Sequence, residues 1–235
     1  MTLAIPLGQA YHGQMTDTPQ LSNAPEGDWA DRMEQSVLDS ALGLAPRLGW
    51  NGRMVRAACE AQGLSEGDQE LLLPNGARDL AVLLWRRHDD EALAALGDPA
   101  ALKIRERIAR ALETRLEVAM AHPEAEKRAA GFMALPTNAD LVLSLTWGTA
   151  DRLWRWAGDT ATDWNHYSKR TILSGILIPA MTLRLFDGKD AADAFVAARI
   201  ENVMAFEKWK AGKDFDAPVR RVTEMLSRLR YPQRS

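Results

Sequence analysis

The sequence has few of the residues that build disulfide frameworks or metal sites. Cys59 is the single cysteine in 235 residues, so an intrachain disulfide is excluded. The histidines are equally few: His12, His88, His122 and His166. They form no HExxH or ExxH arrangement, and Asp163 with His166 is more typical of an acid near a helix start beside a surface histidine. Since no GxSxG, P-loop or GxGxxG motif occurs either, we predict a protein that is not an enzyme and uses no metal or cofactor.

Long apolar runs and an N-terminal targeting pattern are also missing. The uncharged stretch 171–183 is 13 residues long, which is short of the roughly 20 residues of a membrane-spanning helix. We therefore predict a buried core helix there. Residues 1–31 contain four acids and no lysine or arginine, so we expect neither a secretory signal nor a mitochondrial transit peptide. Residues 1–27 are predicted to be a flexible tail.

The chain lacks a strong charge of either sign. Its formal net charge is −3, with 46% hydrophobic and 26% charged residues, which suffices for a sizeable core. Such a balance provides no general attraction to nucleic acid, so DNA binding has to be argued from local features.

Apolar residues recur at three- and four-residue spacing from about residue 28 onward, and strand-like alternation is scarce. The sequence therefore predicts an all-α fold. Asn75 is expected to cap one helix, and Asp98 followed by Pro99 to start the next. The predicted helices span 28–44, 51–62, 65–73, 75–96, 99–121, 140–157, 160–186 and 190–209. Residues 28–210 form the predicted helical domain, followed by a linker at 211–218.

The helices at 51–62 and 65–73 meet at Gly63 with helix-turn-helix spacing. In a repressor the second of them would lie in the major groove of DNA. The stretch between Ala57 and Ala77 contains four acids and no lysine or arginine, so nothing there neutralises phosphate. A structural three-helix corner is favoured, and a ligand-responsive transcriptional regulator is the alternative.

Tryptophan is concentrated late in the chain, where five of the eight lie between Trp147 and Trp209. Trp154, Trp156 and Trp164 cluster around a predicted turn. Core packing and a partner-binding surface are equally good interpretations of this cluster on the residues alone. In the following helix, Pro179 is expected to produce a kink, which ordinary packing tolerates and which can also leave room for a ligand.

The C-terminal segment 219–235 is predicted to contain a short basic amphipathic helix at 219–229. Its apolar face includes Val222, Met225, Leu226 and Leu229, and its flanking cations include Arg221 and Arg228. Arginines beside an apolar face favour contact with an anionic membrane surface over docking on the core.

The run from Trp156 to Arg170, WAGDTATDWNHYSKR, resembles the signature of the coenzyme Q (ubiquinone) biosynthesis accessory family, whose members have a TetR-like fold. Weaker similarities occur at Gly49-Trp50, at 113–116 and at Leu135-Pro136-x-Asn138. Together they cover about residues 28–209 in consistent order.

This resemblance implies a TetR-like homodimer that binds isoprenoid lipid or a quinone precursor in an apolar pocket and delivers it to a di-iron demethoxyubiquinone hydroxylase. The helices flanking the signature supply the residues that we expect to bind lipid: Leu141, Leu145, Trp147, Ile172, Ile176 and Pro179. The resemblance places the partner-binding patch in and just before the signature: Trp154, Asp159, His166, Tyr167 and Arg170. The N-terminus favours a bacterial cytoplasmic protein associated peripherally with the inner membrane.

Overall fold

The computed structural model describes residues 26–160 and 164–211, and this part of the chain is helical without strands, which confirms the all-α prediction. Residues 1–25 of the predicted N-terminal tail and the segment 219–235 lie outside it, as does all but Ala211 of the predicted linker, whereas Glu26 and Gly27 belong to the first helix. Two short 3₁₀ turns, Ala119–Ala121 and Pro136–Asn138, join the α-helices. These are α1 (Glu26–Leu48), α2 (Gly52–Ala61), α3 (Glu66–Leu72), α4 (Ala77–Ala95), α5 (Ile104–Val118), α6 (Pro123–Met133), α7 (Ala139–Trp156), α8 (Trp164–Phe186) and α9 (Lys189–Ala211).

The first helix extends beyond its predicted end. It buries a stripe of apolar residues against α2, α4 and α6: Val37, Leu38, Ala41, Leu42 and Ala45. The helix predicted at 28–44 continues to Leu48, because Pro46 lies in its last turn, where the missing N–H removes a single hydrogen bond. The helix stops where Gly49 takes a φ of 78° and donates its N–H to the carbonyl of Ala45 at 2.8 Å.

The predicted turn between α2 and α3 is confirmed. The side-chain oxygen of Asn51 accepts the N–H groups of Arg53 and Met54, and Gly63 has a φ of 74°. Ser65 and Asp68 form a capping box at the start of α3. No residue of α3 is buried, so its acids lie in solvent without a neighbouring cation in the helix. This arrangement fits a structural corner better than a DNA-reading helix.

Two helix starts and one unpredicted helix are among the differences from the predictions. Helix α4 begins at Ala77 rather than Asn75, whose N–H donates to Asp79 at 2.6 Å. The helix expected from Pro99 begins only at Ile104, since Asp98 accepts the N–H of Ala100 and holds a turn. No helix was predicted at 123–133, where α6 begins with a proline in its first turn.

Helix α8 is buried on one face only. Its core face contacts α7 and α9 through leucine, isoleucine and methionine side chains that include Leu173, Leu177 and Met181. Ile178, Pro179 and Phe186 are exposed on the other side. The predicted core helix is therefore amphipathic, and the chain remains helical through Pro179.

Candidate functional site

The signature run forms the junction between α7 and α8. Helix α7 ends as predicted before Gly158, which has a φ of 91°. A Cβ atom there would lie 3.1 Å from Nη1 of Arg107, so both the backbone angle and the close approach favour glycine. Arg107 donates from this nitrogen to the carbonyl of Ala157 at 2.8 Å. The turn is thereby fastened to the start of α5.

A buried cluster of ion pairs follows this turn. The carboxylate of Asp159 accepts from Lys169 Nζ at 2.6 Å and from Arg170 Nη1 at 3.0 Å. The other side of Arg170 donates from Nε to Asp151 at 2.7 Å. Only 4% of the Asp159 side chain and 2% of the Arg170 side chain are exposed. Charges this deeply buried need paired partners, so the cluster fixes the start of α8 against the end of α7.

Trp154 belongs to the same buried cluster. Its indole N–H donates to the carbonyl of Lys169 at 3.1 Å, and Nζ of Lys169 lies 5.2 Å from the ring centre. Of the five predicted partner contacts, the structure places Trp154, Asp159 and Arg170 in the interior. We expect these three to act by positioning the junction.

The remaining two predicted contacts lie next to an aromatic neighbour at the surface. Tyr167 is 56% exposed, and its ring centre is 5.2 Å from that of His166 and 6.2 Å from that of Trp147. We call Trp147, His166 and Tyr167 the aromatic patch. Trp147 was predicted to bind lipid, whereas His166 and Tyr167 were predicted to bind the partner protein. The structure places these three side chains side by side. Asp163, which was considered as a companion of His166, lies outside the described residues.

An apolar cavity of about 140 Å³ lies between α4, α6 and α8. Small side chains leave the space: Ala81 on α4, and Ala129 and Ala130 on α6. Larger apolar residues complete the wall: Leu84, Trp85, Met133, Val142, Ile178, Met181, Leu185 and Phe186. The exposed residues Ile178 and Phe186 mark the side where the cavity approaches the surface.

Two titratable side chains interrupt this apolar wall. His88 and Glu126 both line the cavity, with Nδ1 of His88 4.0 Å from Oε2 of Glu126. Burial, reinforced by the nearby charges of Arg115 and Arg87 and by His122, lowers the pKa of His88 to about 3. Burial raises the pKa of Glu126 to about 7, against the opposing effect of Arg115. Below neutral pH the pair is therefore mostly uncharged.

A buried polar network lies next to this pair. Arg115 is fully buried and donates from Nε to Asp89 at 2.6 Å. The hydroxyl of Thr149 donates to the other oxygen of Asp89 at 2.7 Å and accepts the indole N–H of Trp85 at 2.8 Å. Among the described residues, Nη1 of Arg115 has no hydrogen-bond partner. The network connects α4, α5 and α7 and sets the charge beside the cavity.

None of the six residues predicted to bind lipid is among those lining this cavity. Ile176 is buried, whereas Leu141, Leu145 and Ile172 pack at the margin of the core. Pro179 is exposed, and Trp147 belongs to the aromatic patch. The cavity residues were not predicted because α4 and α6 carry no distinctive sequence motif there. The one available signal is the recurrence of alanine around Glu126, at Ala125, Ala129, Ala130 and Ala134.

The predicted membrane-binding residues Val222, Met225, Leu226, Leu229, Arg221 and Arg228 lie outside the described residues. Across residues 26–160 and 164–211, no helix is long and apolar enough to cross a membrane. Within the same ranges, no group of three or more histidine, cysteine or acidic residues could hold a metal ion.

The fold and the site define an all-helical protein with a small apolar cavity and an ion-paired junction that carries an aromatic patch. Residues 139–207, which contain this junction, match the family model described as COQ9. The predicted resemblance to the coenzyme Q biosynthesis accessory family is thereby confirmed.

Similar proteins carry the same family name. The chain is 29% identical over 154 residues to the ubiquinone biosynthesis protein COQ9, mitochondrial, of Rattus norvegicus, a match that covers 62% of this chain and 49% of the rat protein. It is 26% identical over 199 residues to the Xenopus tropicalis protein of that name, covering 80% of this chain and 63% of the relative. The chain spans about half the length of the mammalian relatives it matches. Their names state a biosynthetic process and do not specify a reaction.

Proposed function

We propose that the protein is a lipid-binding accessory protein of ubiquinone biosynthesis. It binds an isoprenoid quinone precursor and presents it to a demethoxyubiquinone hydroxylase at the membrane surface. The observation that carries this proposal is the apolar cavity between α4, α6 and α8. The similar proteins named for ubiquinone biosynthesis support the choice of ligand.

The size of the cavity limits how much of the ligand it encloses. A cavity of about 150 Å³ is known to hold benzene, so about 140 Å³ takes one ring-sized group. The rest of an isoprenoid tail would follow exposed apolar side chains of α7 and α8: Leu143, Ile178 and Phe186. Each Å² of apolar surface removed from water contributes about 25 cal/mol, so even partial coverage of a tail favours binding.

Two further surfaces complete the proposal. The aromatic patch contacts the hydroxylase, because aromatic side chains are enriched in protein interfaces and the buried Asp159–Arg170 pair holds the junction in place. The amphipathic segment 219–229 contacts the membrane, where its arginines would face anionic headgroups. The protein acts as a homodimer, peripherally attached to a membrane, and without catalysis of its own.

Binding of a ubiquinone with a two-unit isoprenoid tail tests the ligand. We expect saturable binding to the full chain and at least about a tenfold loss of affinity in Ala129→Leu, because the added methylenes occupy the cavity wall. Ala94→Leu is the matched control, since Ala94 is exposed on α4. Titration monitored by tryptophan fluorescence measures both affinities, with thermal unfolding to verify folding. Equal affinity in the two variants would contradict binding in the cavity.

A further inference from the structure

Two polar side chains, His88 and Glu126, line the otherwise apolar cavity without a hydrogen bond to each other. Only 8% of the His88 side chain and 9% of the Glu126 side chain are exposed. Their one mutual contact, at 4.0 Å, is longer than a hydrogen bond. Both side chains line the cavity, so a molecule inside it can form hydrogen bonds with them.

The separation of the two groups suits a single oxygen atom. An oxygen about 2.8 Å from both Nδ1 of His88 and Oε2 of Glu126 forms a triangle on their 4.0 Å separation. A hydroxyl offers one donor and two acceptor lone pairs. It therefore fits whichever of the two protein groups carries a proton, whereas a carbonyl oxygen fits only if both donate.

Charge and size restrict the remainder of the ligand. The surrounding wall is almost entirely apolar, so an ionised ligand would lose its hydration without compensation. Arg115, whose charge acts on both side chains, does not line the cavity and is already paired with Asp89. The pKa values of His88 and Glu126 leave this pair mostly uncharged below neutral pH. The volume of about 140 Å³ admits one six-membered ring.

We propose that the cavity selects an uncharged ring that bears a hydroxyl, a phenol, and holds the hydroxyl oxygen between His88 and Glu126. This inference rests on the proposed function, whose ligand site it shares, and adds the chemistry of the bound group. While the ligand is bound, the cavity shields its ring from water. Transfer to a hydroxylase begins when the ring leaves the cavity.

Three fluorinated probes of similar size test the proposal in the full chain: 4-fluorophenol, fluorobenzene and 4-fluorobenzoate. Titrations at pH 6 followed by ¹⁹F NMR should give 4-fluorophenol an affinity about three- to tenfold higher than fluorobenzene, the gain expected from one net hydrogen bond. The benzoate should bind more weakly than both. In Glu126→Met the phenol loses its advantage while fluorobenzene still binds. Glu124→Met is the matched control, because Glu124 lies on the same helix with an exposed side chain.

Equal affinity for the phenol and fluorobenzene in the unaltered protein would overturn the proposal, as would preferred binding of the benzoate or binding of no probe. If Glu126→Met does not fold, His88→Leu replaces it, and an undiminished phenol preference in either folded variant also overturns the proposal. The outcomes separate the two claims. Phenol preference without binding of isoprenoid quinone removes only the proposed function, and quinone binding without phenol preference removes only this inference.

Discussion

Replacing Asp89 with asparagine should lower the free energy of unfolding by about 3–5 kcal/mol, because it removes one partner of a buried ion pair. Asp89 accepts from Arg115 at 2.6 Å and from Thr149 at 2.7 Å. The guanidinium of Arg115 is fully buried, and its Nη1 has no hydrogen-bond partner among the described residues. Loss of the carboxylate charge therefore leaves a buried cation poorly compensated. Chemical denaturation measures the change.

Asp90→Asn provides a matched control for this prediction. Asp90 is the next residue of α4, and its side chain is 66% exposed while it pairs with Arg152. Exposed pairs contribute at most about 1 kcal/mol, so the control should remain close to the unaltered protein. Similar losses in both variants would contradict the structural role assigned to the Arg115 network.

Glu126→Gln should remove a loss of stability that the unaltered protein undergoes as the pH rises from acidic to mildly alkaline. Glu126 has a pKa of about 7 when folded and near 4.5 when unfolded, so the folded state retains a proton that the unfolded state releases between these values. Stability falls as pH rises through this window and is then constant. Glutamine removes this loss. The free energy of unfolding of the variant, relative to that of the unaltered protein, should therefore rise by on the order of 2–3 kcal/mol from pH 5 to pH 8.

The opposing effect of His88 is present in both proteins and cancels in the comparison. Its pKa is about 3 when folded and near 6.5 when unfolded, so its contribution to stability rises between those values. Denaturation curves at several pH values measure the difference. Glu124→Gln is the control, because that side chain is exposed and should show little such trend. Parallel pH profiles for Glu126→Gln and the unaltered protein would contradict the burial of a protonated carboxyl.

Local signals predicted much of the fold. Gly63 and Gly158 acted as expected because left-handed turns depend on residues within one turn of the chain. The start predicted at Pro99 was wrong because side-chain hydrogen bonds, such as the one that Asp98 accepts from the N–H of Ala100, compete with helix formation there. Arg107 takes the carbonyl of Leu102 and also anchors the α7–α8 junction, so the preceding segment remains a turn.

The candidate site was only partly predictable. The signature run located the α7–α8 junction, but sequence alone did not reveal that Arg170 and Asp159 are buried, since such residues are mostly exposed unless paired. The cavity depends on three helices that are separated along the chain. Its polar members, His88 and Glu126, are ordinary helical residues in sequence and become distinctive only when burial brings them together.

The most direct test of the account is native mass spectrometry of the full chain, purified without detergent from cells that make isoprenoid quinones. We predict a co-purified isoprenoid lipid on the unaltered protein and on Ala94→Leu, and less of it on Ala129→Leu, whose larger side chain reduces the cavity. A folded protein that carries no lipid and takes up no added isoprenoid quinone would contradict the account.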